Sequence, residues 1–164
     1  MKATKKQDIY NILKEMNIDY SVTEHKPVYT IEEMNDLGME NIDHVIKNLF
    51  IRDDKKKNYY LVLVQKDKTV NLNKLKETIN SRRLSFASEE DLEKYLGLKK
   101  GAVSPLGIVN DENKFVKVII DRDIKNLEFI GVHPMENTAT VWINVEDLQK
   151  LIKSNGNFVN FVSM

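Results

Sequence analysis

The sequence predicts an α/β (α+β) fold: a single domain over residues 1–164, built on a mixed, strongly curved sheet flanked by helices. Three observations predict it. Segments of helical hydrophobic period alternate along the chain with short apolar runs of strand character. Several of those runs are joined by short polar turns, which a purely parallel sheet does not allow. No linker, repeat or low-complexity tract interrupts the pattern, and 164 residues suffice to bury one substantial core.

The elements follow in order. Thr4 opens a T-x-x-Q capping pattern, after which Ile9, Ile12, Leu13 and Met16 recur at helical spacing. A short strand covers 20–24. Thr30-Ile-Glu-Glu33 is a second capping box and starts a short helix that Gly38 ends. The runs 45–52 and 59–65 flank the polar stretch 53–58, the pattern of a β-hairpin. Leu72, Leu75 and Ile79 mark the next helix, and 84–87 a short strand. Ser88 caps a helix carrying Leu92, Tyr95 and Leu96, which Gly97 stops. Strands are expected over 107–110, 115–121, 128–131 and 138–143. Asn144 then caps a last helix through Val145, Leu148, Leu151 and Ile152, and a terminal strand covers 157–162.

Composition narrows the function classes. Lys+Arg and Asp+Glu balance at 25 each, so bulk charge does not announce a nucleic-acid binder, and DNA is not an expected partner. The runs Lys55–Lys57, Arg82–Arg83 and Lys99–Lys100 are ordinary solvated turns taken singly, and a basic rim only if the fold gathers them. The absence of cysteine removes disulfides, thiolate catalysis and cysteine metal sites. No apolar run approaches the roughly 18 residues of a membrane span, and no apolar signal core follows Met1. A cytoplasmic protein without membrane partners is expected. Three scattered histidines lack the clustering of a metal site, and no cofactor is expected.

Three places remain where chemistry could reside. In Gly101-Ala102-Val103-Ser104-Pro105, proline fixes the backbone and glycine frees it, so the intervening amides can be held toward an oxyanion or carbonyl oxygen; a plain helix-to-strand turn has the same pattern. His133, between Val132 and Pro134 at a strand end, could bind an amine or hydroxyl, move a proton, or simply pack. Lys47, beside Asn48 in an apolar strand, must meet solvent, a charge partner or a phosphate. His25 and His44 fall in polar surroundings and carry less weight. No G-x-S-x-G elbow, phosphate-binding loop or dinucleotide fingerprint occurs.

Taken together and in order, these motifs resemble the YbaK-like, prolyl-tRNA synthetase-associated editing domains. The likeness runs through Glu24-His-Lys-Pro-Val-Tyr-Thr30-Ile-Glu-Glu33, Lys47-Asn48-Leu-Phe50 and Val70-Asn-Leu-Asn-Lys-Leu75. It continues through Gly101-Ala-Val-Ser-Pro105, Gly131-Val-His133-Pro134 and Asn137-Thr-Ala-Thr140. The resemblance implies a barrel-like mixed-sheet domain that deacylates mischarged tRNA. Gly131-Val-His133, where cysteine-specific members carry a Gly-Gly-Lys segment, is similar to the free-standing alanine-specific branch.

By that resemblance the substrate is the acceptor end of Ala-tRNA(Pro), with prolyl-tRNA synthetase as a further partner. Lys47, Gly101 and His133 are then the expected catalytic residues, with Thr30, Asn48, Ala102, Val103, Ser104, Pro105, Gly131 and Asn137 in substrate binding. The alternatives are a deacylase for cysteine or serine, and a non-catalytic module that senses an amino acid or aminoacyl-tRNA.

Overall fold

The computed structural model describes residues 2–164. Eight strands and five α-helices follow one another in the order α1 (Lys6–Glu15), β1 (Tyr20–Glu24), α2 (Ile31–Asp36), β2 (Ile46–Asp53), β3 (Tyr59–Gln65), α3 (Leu72–Thr78), β4 (Leu84–Phe86), α4 (Glu89–Leu96), β5 (Val116–Asp121), β6 (Phe129–Val132), β7 (Ala139–Asn144), α5 (Val145–Asn155) and β8 (Val159–Val162). No helix among the described residues is long and apolar enough to cross a membrane.

The sheet is mixed, as expected, but it divides in two. A five-stranded sheet has the order β4-β2-β3-β5-β8, and a three-stranded sheet the order β1-β7-β6. The β2–β3 hairpin is antiparallel, whereas β3–β5 and β5–β8 are parallel. A single parallel bridge, Val45 to Gly131, ties the two sheets together, so no closed barrel forms.

That division positions the site. On its outer side β2 pairs with β4 only through Ile51, Arg52 and Asp53. The edge between the Val45 bridge and Ile51 therefore has no strand beside it. The main core lies on the face carrying Ile46 and Phe50, together with Leu61, Leu63, Val118 and Ile120 of the neighbouring strands and Leu13, Leu148 and Ile152 of the helices. A smaller cluster on the opposite face gathers Ile51, Val62, Val64 and Leu75.

Several local expectations are revised. The stretch expected as a strand at 107–110 is part of a 3-10 helix, Pro105–Asn110. Ser104 caps it by accepting from the Leu106 N–H (3.2 Å), and Pro105 fits its first turn. The T-x-x-Q cap is not used; the Asp8 carboxylate instead accepts from the Thr4 and Lys5 N–H groups at 3.0 and 3.2 Å. Asn144 occupies the N-cap of α5 but makes no side-chain cap bond. The Thr30, Asn71 and Ser88 side chains do cap their helices.

Candidate active site

A cavity of about 200 Å³ opens where the two sheets part. Thr30, Lys47, Asn48, Gly101, Val103 and His133 line it, so four distant segments of chain converge there. Val28, Ile31 and Met34, from α2 and its approach, complete an apolar wall.

Lys47 and Asn48 reach the cavity from opposite faces of β2. Alternation places Asn48 with Ile46 and Phe50, and Lys47 with Leu49 and Ile51. Both touch the same cavity because it opens at the strand's uncovered edge, not on either face. The Lys47 ammonium donates to the Lys68 carbonyl, in the turn after β3. That turn is anchored in its own right: Lys68 Nζ donates to the buried Asp121 carboxylate at 2.6 Å and to Asp123 at 3.2 Å. The bond to Asp121 raises the Lys68 ammonium above its ordinary value, which keeps the anchor charged. On the other face, Asn48 Oδ1 is buried without a hydrogen-bond partner. A buried acceptor left unmet costs about 1–3 kcal/mol, and in a cavity wall it awaits a ligand donor.

The glycine–proline loop supplies main-chain groups. Gly101 adopts φ +90°, a conformation open to glycine. Among the described residues the N–H groups of Gly101 and Val103 have no protein acceptor, and both residues line the cavity. The neighbouring residues of the loop are placed differently. The Ala102 N–H already donates to the Lys99 carbonyl at 3.0 Å. Ser104 is fully buried and its hydroxyl is engaged as a helix cap, while Pro105 is buried in the same turn. These three residues shape the loop from behind and do not line the cavity.

Gly131 and Asn137 likewise stand outside it. A Cβ on Gly131 would meet the Trp142 ring at 2.6 Å and the Thr140 methyl at 2.9 Å, so its role is close packing beside the bridge to Val45. Asn137 clamps the approach to α2, its side chain donating to the Val28 carbonyl at 2.8 Å.

The half-buried His133 is held by the Ala139 carbonyl, 3.0 Å from Nδ1. A carbonyl only accepts, so Nδ1 carries the proton and Nε2 keeps its lone pair. Burial, reinforced by the nearby His25, pushes His133 below the usual 6.5. The unfolded chain takes up this proton near 6.5, while the folded chain resists until a lower pH. Stability is therefore full above that value and falls as pH drops through the window beneath it. Wild type is expected to lose more urea resistance between pH 7.5 and 5.5 than His133→Gln. Equal losses in urea titrations of the two proteins would refute this.

Two neighbours of the site carry little weight in the sequence. His25 packs with its ring centroid 6.2 Å from that of His133, and its Nε2 lies 2.9 Å from the buried Thr140 hydroxyl. Tyr29 lies at the mouth, its ring over Gly101. Their position between the strand β1 and the capping box at Thr30 was the available signal.

Comparison with known proteins gives a consistent answer. Residues 25–151 match the family model described as an aminoacyl-tRNA editing domain. The chain is 49% identical over 152 residues to the prolyl-tRNA editing protein ProX of Acetoanaerobium sticklandii, covering 93% of each chain. It is 38% identical over 143 residues to the prolyl-tRNA synthetase associated domain-containing protein 1 of Mus musculus, covering 82% of each. A crystal structure of a protein proposed as a trans-editing enzyme for prolyl-tRNA synthetase superposes with a TM-score of 0.73 at 19% identity, over 100% of this chain and 99% of that one, which shows a shared fold. The chain belongs to the aminoacyl-tRNA editing domain family.

Proposed function

We propose that this protein is a trans-editing hydrolase that deacylates mischarged tRNA(Pro), with Ala-tRNA(Pro) as its substrate. The supporting observation is a single small cavity that offers two unpaired main-chain donors, an anchored ammonium and an unmet buried acceptor, while the Thr30 hydroxyl on its wall is engaged with Glu33 as a helix cap. An aminoacyl ester is already activated, so a polarised carbonyl and an oriented water suffice. The full-length similarity to ProX supports the same substrate class.

The roles follow from the groups present. The Gly101 and Val103 N–H groups donate to the ester carbonyl oxygen, where negative charge develops as water adds. Lys47 sets a positive charge beside the ester and its terminal nucleotide. Two acceptors without protein donors, Asn48 Oδ1 and His133 Nε2, suit the α-ammonium of the aminoacyl group and the free ribose hydroxyl. The water oxygen bonds to the carbonyl carbon, and the bond to the ribose oxygen then breaks. The water's proton passes to that oxygen through the neighbouring ribose hydroxyl. Alanine and intact tRNA leave.

Alanine is the amino acid that most needs such a site. A pocket built for proline gains only about 1–3 kcal/mol against a side chain smaller by one or two methylenes, so a second sieve must remove the error. Contact with prolyl-tRNA synthetase would present the substrate before release. The test is deacylation of Ala-, Cys-, Ser- and Pro-tRNA(Pro) carrying labelled amino acids. Selective release of alanine is expected. Selective release of cysteine or serine would reassign the pocket, and binding without turnover of any of them would make the protein a sensor.

A further inference from the structure

A second cavity, of about 490 Å³, adjoins the first and shares Asn48 and Val103 with it. Its remaining wall includes Phe50, Phe86, Ala87 and Leu92, with Lys100 and the carboxylate-bearing Glu89 both on its lining. Phe86 is an apolar ring left 62% exposed at the end of β4, although Leu84, two residues earlier, is buried. Where the chain leaves β4 the Ala87 N–H donates to the Phe50 carbonyl at 3.0 Å, and the strand then turns into α4. Since that carbonyl faces outward, alternation turns the Asn48 N–H and C=O to the same uncovered side. No strand covers them, and they lie at the junction of the two cavities. Lys100 and Glu89 stand at the rim 3.9 Å apart, both exposed, a pair loose enough for the ammonium to turn to a phosphate.

We infer that this second cavity is the subsite for the nucleotide preceding the terminal, aminoacylated adenosine of the substrate: Phe86 stacks its base and Lys100 faces its phosphate. The inference rests on the reading given under Proposed function. A 3′ end whose last residue enters the first cavity continues, one phosphodiester away, along an open surface. Here that surface carries main-chain polar groups, an exposed aromatic ring and a cation. Unpaired RNA ends are held in this way, by stacking on aromatic side chains beside a positive charge, and stacking tolerates any base. Phe86 thereby acquires a role that a surface phenylalanine otherwise lacks.

The test compares two small esters, alanyl-adenosine and alanyl-CpA, which adds the preceding cytidine. Wild-type kcat/KM is expected to be roughly tenfold higher for the dinucleotide, the scale of one base stacked on an aromatic ring. Phe86→Ala brings the ratio of the two close to one, and Phe86→Trp restores it. A wild type without preference for the dinucleotide, or a preference that survives Phe86→Ala, overturns the subsite while leaving the editing activity in place. Loss of turnover in Phe86→Ala only when prolyl-tRNA synthetase is present would make the ring a protein-docking contact and overturn it equally. If wild type hydrolyses neither ester nor Ala-tRNA(Pro), the editing reading itself fails and the subsite falls with it.

Discussion

Replacing Lys47 by alanine is expected to lower kcat/KM for Ala-tRNA(Pro) at least about a hundredfold, the scale of losing one preorganised electrostatic contact to a developing charge. The side chain is half-buried at the cavity wall, and its ammonium is aimed by the Lys68 carbonyl. The carbonyl in turn is fixed by the ties from Lys68 to Asp121 and Asp123. The charge therefore sits in place before substrate arrives. Folding should hardly change, since a single hydrogen bond to a carbonyl contributes about 1 kcal/mol net.

Lys47→Arg is a sharper probe. It keeps the charge, but a planar guanidinium fork does not reproduce a point contact to one carbonyl oxygen, so most activity should still be lost. Single-turnover kinetics separate the two ways Lys47 could act. A fall in the chemical rate means that the charge acts in the transition state, and a rise in KM alone means that it only binds the terminal nucleotide. Deacylation by Lys47→Ala within threefold of wild type would remove this residue from the mechanism.

Gly101→Ala should be almost as damaging, for a backbone reason. At φ +90° an added Cβ is strained wherever it points, at a cost of roughly 1–2 kcal/mol. It would also come within 2.8 Å of Tyr29 Cδ1. The second penalty is the cheaper one, because Tyr29 is 66% exposed and its ring can swing into solvent. The strain remains, and it relaxes by rotating the amides of Gly101 and Val103. A donor displaced from the ester carbonyl costs about 10²-fold in rate.

The double variant Gly101→Ala/Tyr29→Ala separates the causes. It removes the contact and keeps the strained φ, so activity should stay low. Recovery of near-wild-type deacylation in the double variant would show that crowding by the ring mattered and that the loop amides do not carry the reaction.

Much of this molecule was legible in one dimension. The faces of α1, α4 and α5, the β2–β3 hairpin and the caps at Thr30 and Ser88 are set by residues within a turn or two of one another. Periodicity and local hydrogen bonding therefore revealed them. Lys47 in its strand, the glycine at position 101 and His133 beside a proline stood out for the same reason: each departs from what its local element needs.

Tertiary structure alone decided how they meet. The cavity exists because β2 lacks a neighbour between Val45, bridged to Gly131, and Ile51, paired with Phe86, and those partners lie far along the chain. The same gap lets Lys47 and Asn48 share a cavity although alternation sets them on opposite faces. It leaves Asn48 Oδ1 without a donor, and it joins the two cavities. Ser104, named for substrate binding from its place in the loop, is a helix cap, and its burial and its bond to Leu106 depend on how that loop packs. Local sequence specifies which conformations a segment prefers. Which edges remain unpaired is settled only when distant segments compete for them.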